Sequence, residues 1–404
     1  MGATPAPTPI LQEENKMTEG IKPFTFDTPG SMHMEWGSAR RLGELLASRF
    51  EQRNLLIVTD KFLHENGLLD PAKESLKAQG FTVSVFDDVV ADPPEAVLMQ
   101  CVDRAKSAGA DIVLGLGGGS SMDVAKLVAV MLKSEQPLSE LYGIGNVKGE
   151  RAPLIQVPTT SGTGSEVTNI TILTTGETTK MGVVAQQLYA DLVLLDGELT
   201  VGLPAGATAA TGIDAMVHAI ESYTSAHKKN PLSDALAKEA LTLLTNNLIT
   251  ACTDGSNRAA REAMLLGSNL AGQAFSNSPV AAVHALAYPL GGHYHLPHGL
   301  TNALMLGPVL RFNMAAAAPL YAELADHLLG KSDADVATRS AAFVEHMQDL
   351  MNRSGAPQRL RDVEVTEESL PTLAKDAMLQ TRLLQNNPVE VTEADALALY
   401  KEAF

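Results

Sequence analysis

No stretch limits the fold of this chain more than Asp111–Lys126, which reads DIVLGLGGGSSMDVAK. A run of core-type residues, Asp111–Leu116, enters three glycines, Gly117, Gly118 and Gly119, and a helical segment follows from about Ser120. Strand, glycine turn and helix make up the start of a βα unit, and a parallel strand needs such a crossover to return the chain. Residues without a Cβ let the backbone approach a bulky anion, and the N–H groups at a helix N-terminus favour a pyrophosphate. Ser120 or Ser121 is placed to cap that helix. The spacing is not GxGxxG, so the common dinucleotide fingerprint is absent, and a tight turn without a ligand is the plain alternative.

The rest of the first half keeps the same alternation. Strands are expected at Asn54–Thr59, Thr82–Phe86, Leu154–Pro158 and Leu192–Leu195, with amphipathic helices at Ala39–Phe50, Pro71–Gln79 and Pro94–Ala108. Buried strands alternating with helices predict a mostly parallel sheet covered on both faces. Val157–Thr168 (VPTTSGTGSEVT) is a second loop rich in hydroxyls and glycine directly after a strand, where a dinucleotide lies across strand ends. It lacks the GxSxG elbow of a serine nucleophile. Asp60 ends the strand NLLIVTD; it is placed either to accept from an adenosine ribose, favouring NAD over NADP, or to cap the next helix.

From Ala207 onward no strand is evident. Helical stretches follow one another at Ala207–Thr224, Pro231–Thr250, Arg258–Phe275, Ala281–Leu290, Leu300–Ala317 and Asp333–Asn352. The expected fold class is therefore α/β plus all-α: a flexible tail over 1–20, a parallel-sheet dinucleotide domain over 21–205, and a helical domain over 206–404. The boundary falls at Leu203–Gly206 (LPAG), where Pro and Gly punctuate the chain.

With 404 residues the chain buries enough apolar surface to fold without a metal staple, so a metal site here is expected to be chemical. Its net charge of −17 argues against a nucleic-acid partner and against anionic membranes. No continuous apolar run reaches the roughly 18 residues needed to span a bilayer. The first residues, MGATPAPTPILQEENK, have neither a signal core nor the make-up of a transit peptide. Cys101 and Cys252 stand in unrelated contexts and read as reduced thiols of a cytoplasmic protein.

Ligand-type residues cluster in the second half. In GIDAMVHAIE, Asp214 and His218 are four apart and share a helix face. In VHALAYPLGGHYHLPHG, His284 sits on a helical stretch and His298 follows a Gly/Pro-rich turn. One carboxylate and three imidazoles form an N/O set suited to Fe2+, Zn2+ or Mn2+. His293 and His295 read as wall or surface residues.

Several segments, in order, resemble the iron-containing (group III) alcohol dehydrogenase family: GGGSSMDVAK, PTTSGTGSEVTN, GIDAMVHAIESY, HALAYPLGGHYHLPHGLTNALMLGPVLRFN and NNPVEVTEADALALY. The resemblance runs from about Phe24 to the C-terminus. It implies Asp214, His218, His284 and His298 as ligands of Fe2+, with Zn2+ also compatible. It places NAD on Asp60, Gly117, Gly118, Gly119, Ser120, Asp123, Thr159, Thr160, Thr163 and Lys180, and implies a homodimer. Many members carry a histidine where this chain has Tyr288, so an acid–base or substrate role there is not carried over. Tyr288, one turn from His284, is expected either to relay a proton or, more simply, to wall the pocket.

The implied reaction is hydride exchange between NAD(P) and a small primary alcohol or diol, giving the aldehyde, with a metal as Lewis acid. Two rival readings are a lyase or synthase of the dehydroquinate synthase type and a non-catalytic nucleotide-binding subunit. The first needs Lys and Arg near the metal for an anionic substrate, yet Thr211–Thr224 and Ala281–Asn302 contain neither. The same lack favours a neutral small substrate.

Overall fold

The computed structural model describes residues 21–176 and 179–404, so the tail expected over 1–20 lies outside the described residues. Nine strands come first: β1 Met32–Met34, β2 Asn54–Val58, β3 Thr82–Phe86, β4 Ile112–Gly117, β5 Gly143–Ile144, β6 Leu154–Pro158, β7 Ile170–Thr175, β8 Thr179–Val184 and β9 Leu192–Leu195. Between them run α1 Leu42–Ala47, α2 Lys61–Glu65, α3 Asp70–Ala78, α4 Glu95–Ser107, α5 Gly119–Met131 and α6 Leu138–Leu141. Helices alone follow: α7 Ala205–Thr224, α8 Pro231–Thr253, α9 Arg258–Asn277, α10 Ala282–Tyr294, α11 His298–Leu329, α12 Val336–Ser354, α13 Leu370–Ala377, α14 Thr381–Leu384 and α15 Glu393–Ala403.

Six strands form one parallel sheet in the order β1-β9-β6-β4-β2-β3. Alternate residues feed opposite faces, as the pleat requires. Leu56, Val58, Val113 and Leu154 join α4 and α5 in one core, while Leu55, Ile57, Ile112 and Ile155 join α1 and α3 in another. A third core fills the helical half, from Ile213 through Leu244 and Leu306 to Leu373 and Tyr400.

Three expectations need correction, and four strands, β1, β5, β7 and β8, were not expected. The helix expected over Ala39–Phe50 is a 3-10 turn, Ser38–Arg41, followed by the short α1. Neither Ser120 nor Ser121 caps α5: its N-cap is Gly118, without a side-chain hydrogen bond. Strands β7 and β8 pair antiparallel as an added ribbon, with β5 alongside β8. Their faces are Thr-rich and half-exposed, which blurs the apolar pattern that marks a core strand. Finally, α11 runs on to Leu329 through Pro308 and Pro319, because Tyr321, Ala322, Leu324 and Ala325 bury in the helical core beyond the second proline. That packing outweighs the lost backbone bonds.

By length and composition α11 is a helix that could cross a membrane. Its buried residues instead belong to the core shared with α7, α10 and α12.

Candidate metal centre and cofactor cleft

Three helices deliver four side chains to one point. Asp214 and His218 lie one turn apart on α7, His284 is in the first turn of α10, and His298 is the first residue of α11. Gly299 explains how α11 comes so near: a Cβ there would sit 2.7 Å from the Ala210 carbonyl oxygen of α7. One potential ligand atom from each of the four residues lies within 4.8 Å of the others. Asp214 Oδ1 is 3.8 Å from His218 Nε2 and 3.7 Å from His298 Nε2. Asp214, His218 and His284 are buried, and the His298 side chain is 29% exposed, towards the cleft.

The protonation states suit cation binding. Burial pushes His218 down to about 3 and His298 down to about 4, with Asp214 pulling both partly back. Both imidazoles are therefore neutral at physiological pH, with lone pairs available. Burial pushes the Asp214 carboxyl up, but the three histidines and Asn302 together outweigh it and leave it below the ordinary carboxylate range.

Asn302, one turn into α11, tests whether the four residues fit a metal. Its Nδ2 lies 2.5 Å from Asp214 Oδ1 and 3.2 Å from both His284 Nε2 and His298 Nε2. An amide nitrogen carries two hydrogens, and three acceptors crowd it. Its own Oδ1 is buried without a partner. More lone pairs converge here than nearby donors can satisfy, and a divalent cation satisfies them together.

Glu221 builds the support behind His284. It is 4% exposed; Oε1 accepts from Val283 N at 2.7 Å, and Oε2 accepts from Ala281 N at 2.9 Å and faces His284 Nδ1 at 2.7 Å. The imidazole thus donates from Nδ1 and turns Nε2 inward, the outer arrangement that orients metal-binding histidines. Phe275 of α9 stacks on His218 with ring centroids 4.3 Å apart. Sequence reasoning missed Glu221, Asn302 and Phe275. The first two carried a signal: Glu221 is three residues beyond His218 on one helix, and Asn302 is four beyond His298. Phe275 carried none.

The cleft over the ligands encloses about 150 Å³ and runs from these helices to the start of α5. Of the expected cofactor residues, Gly119, Ser120, Asp123, Thr163 and Lys180 line it. A Cβ at Gly119 would come within 2.9 Å of the Thr163 side chain, so glycine keeps this passage open. Asp60, Gly117, Gly118, Thr159 and Thr160 lie away from that lining, along the strand ends. Asp60 caps α2, accepting from Leu63 N at 3.0 Å. Thr159 is buried and its N–H donates to the Gly117 carbonyl at 3.0 Å, while Thr160 faces Gly118. The Asp123 carboxylate is engaged within the fold, accepting from Ser165 Oγ at 2.6 Å and Ile172 N at 3.0 Å and pairing with the buried Lys126. Lys180 pairs with Asp92 at 2.6 Å.

Tyr288 faces the cleft, its ring centroid 6.0 Å from that of His298 and 5.9 Å from Lys180 Nζ. His293 pairs with Asp376 at the surface, and His295 ends α10 in a left-handed conformation; neither joins the cluster. The segments flanking the ligands are free of Lys and Arg, but folding brings Lys180 of β8 and Arg382 of α14 into the cleft. The lack of Lys and Arg in those two segments therefore does not extend to the whole cleft.

Residues 29–197 match the iron-containing alcohol dehydrogenase family, and residues 208–404 match the C-terminal part of the Fe-containing alcohol dehydrogenase family. The chain is 40% identical to long-chain-alcohol dehydrogenase 1 of Geobacillus thermodenitrificans, over 93% of this chain and 95% of that protein. It is 38% identical to sulfoacetaldehyde reductase of Bilophila wadsworthia, over 90% and 96% respectively. The solved alcohol dehydrogenase from Oenococcus oeni superposes with a TM-score of 0.90 at 32% identity, covering 95% of this chain and all of that one. With these matches spanning both halves, the chain belongs to the iron-containing alcohol dehydrogenase family and is a metal-dependent, NAD-linked oxidoreductase of small alcohols and aldehydes.

Proposed function

We propose that Asp214, His218, His284 and His298 together hold one divalent cation, Fe2+ as in the family's name, with Zn2+ able to compete for such an N/O set. The supporting observation is the convergence of four donors, three of them buried, on one point beside the glycine turn of α5. A cation bound there supplies Lewis acidity to the oxygen of an alcohol or aldehyde.

The chain's own residues do the rest. Glu221 holds the His284 ring in one tautomer. Phe275 and Tyr288 wall the space beside the ligands and narrow it against water. The N–H groups at the start of α5 receive the pyrophosphate of NAD, with Gly117, Gly118, Gly119 and Ser120 giving it room. Asp60 keeps one carboxylate oxygen free of the helix cap and offers it to the adenosine ribose, favouring NAD over NADP. Thr159, Thr160 and Thr163 border the same path; Asp123 and Lys180 shape its inner end.

The substrate is a small primary alcohol or diol and its aldehyde. The relatives act, by their names, on molecules as different as long-chain alcohols and sulfoacetaldehyde, which share the terminal hydroxyl or carbonyl. The metal work falls to residues 206–404 and the dinucleotide work to 21–205. We also propose a cytoplasmic homodimer, a reading supported by the family resemblance and by two cysteines that form no disulfide.

The test is a panel of aldehydes assayed with NADH and NADPH on chelator-stripped protein, before and after adding back Fe2+, Zn2+ or Mn2+. The stripped protein should stay folded on its helical core and lose turnover. Full turnover without metal overturns the reading.

A further inference from the structure

Arg382 lines both the cleft over the ligands and a larger neighbouring cavity of about 740 Å³, and so stands where the two meet. Its backbone carbonyl accepts from Gln385 and Asn386, but among the described residues its guanidinium makes no hydrogen bond or ion pair. Other buried or half-buried cations of this chain are held by partners. Lys126 is wrapped by Asp123, Ser165 and Thr168; Lys180 is held by Asp92, Lys229 by Asp234 and Arg151 by Asp191. Within the cleft the other full charges are already engaged, Lys180 with Asp92 and Asp123 with its own network. Arg382 is the uncommitted one.

The surroundings point the same way. The chain carries a net charge of −17, yet the larger cavity is lined by Lys22, Lys228 and Arg382 against one carboxylate, Asp27. Lys229 and His227 add to the same wall. A cation-rich approach on an acidic protein concentrates anions at one place. The cofactor's pyrophosphate belongs at the N-terminus of α5, whereas Arg382 is on the helical side, beside Tyr288 and the ligand cluster. Arg382 and Tyr288 line the same cleft, and the Tyr288 ring centroid lies 6.0 Å from that of His298.

We propose that Arg382 binds an anionic group, a carboxylate or sulfonate, at the end of the substrate remote from its reacting carbon. The enzyme's preferred aldehyde is then a short ω-oxo acid rather than a neutral one. This rests on the oxidoreductase reading above and narrows its substrate class. A planar guanidinium with free N–H groups matches the paired oxygens of such a head group, and the charge-assisted bonds fix which end of the substrate faces the ligands.

The experiment compares three aldehydes on the metal-reconstituted enzyme with NADH: 4-oxobutanoate, 2-oxoethanesulfonate and neutral pentanal. At least one anionic aldehyde should exceed pentanal in kcat/KM, and its advantage should shrink as salt rises. In Arg382→Gln the anionic-to-neutral ratio should fall by roughly 10- to 100-fold, mainly through KM, and Arg382→Lys should restore part of it. Propane-1-sulfonate, which cannot react, should raise the Tm of the NAD-loaded wild type more than that of Arg382→Gln. Which anionic aldehyde leads distinguishes carboxylate from sulfonate. Good turnover of pentanal with no anionic preference, or a ratio unmoved by Arg382→Gln, overturns the assignment of Arg382 and leaves the oxidoreductase reading standing. An increase in the KM for NADH alone in Arg382→Gln also overturns it, by assigning the guanidinium to the cofactor. If no aldehyde is reduced, the oxidoreductase reading itself fails.

Discussion

Glu221→Gln should weaken metal binding without unfolding the protein. The substitution is nearly isosteric, but an amide has one acceptor oxygen where the carboxylate has two. Placed where Oε2 stands, that oxygen keeps the bonds from Ala281 N and His284 Nδ1 and turns the NH2 group against Val283 N–H. The opposite rotamer loses two bonds, so the first is adopted. One buried donor then lacks a partner, at about 1–3 kcal/mol. The bond to the imidazole also loses its charge assistance and about half its strength. His284 is then held less firmly and its Nε2 is less basic, and losing such an outer partner typically costs 10–100-fold in metal affinity, about 1.4–2.7 kcal/mol. The assay is competition against a chromophoric chelator at pH 7, with calorimetric Tm beside it. The variant should bind metal at least 10-fold more weakly while Tm falls only a few degrees. A metal Kd within threefold of wild type, together with a lowered Tm, would refute the reasoning: Glu221 would then serve only to anchor the start of α10.

Three further outcomes follow from the same geometry. In metal-stripped protein His218 and His298 titrate near 3 and 4, below the roughly 6.5 of an unfolded chain. Their contribution is full above about pH 6.5 and is lost as pH falls towards 4 and 3, so the Tm difference between wild type and His218→Gln should narrow over that range; a difference independent of pH sinks the idea. Asp60→Gly should raise the NADPH-to-NADH efficiency ratio at least tenfold, since glycine still serves at an N-cap and the ribose carboxylate is gone; an unchanged ratio leaves Asp60 as a cap alone. Burial pushes the Tyr288 hydroxyl above its ordinary value, so it stays protonated at neutral pH, and Tyr288→Phe should cost less than about tenfold in turnover with little change of pH profile. A loss of about 100-fold with a flattened profile would mark the hydroxyl as a proton carrier.

The parts of the site that were legible in the sequence depend on local spacing. Asp214 and His218 are separated by one helical turn, and the glycines after β4 announce a strand-to-helix turn by composition. The central parallel strands β2, β4, β6 and β9 were visible because burial on both faces makes them apolar runs, whereas the short, half-exposed edge strand β1 (Met32–Met34) has no such pattern and went unseen. What escaped notice is set by tertiary contact. Arg382 and Phe275 reach the cleft from helices far along the chain, and nothing in their local windows marks them. Asp60 is instructive because a helix cap and a ribose contact demand the same residue at the same strand end. The β7–β8 ribbon and the full length of α11 were missed because half-exposed threonines and internal prolines imitate loop and breaker signals.

The crowding of three lone pairs around Asn302 bears on how the enzyme matures. The donors come from α7, α10 and α11, whose packing rests on a core that includes Ile213, Leu286 and Leu306. The amide of Asn302 lies between Asp214, His284 and His298, and its two hydrogens cannot satisfy all three. Apolar packing thus carries the donors to one point, and a site built this way should be ready for an ion once the helices have packed. With an N/O donor set that admits Fe2+ and Zn2+ alike, the ion taken should follow the cell's pool of free metal, so the active fraction should vary with metal supply during growth.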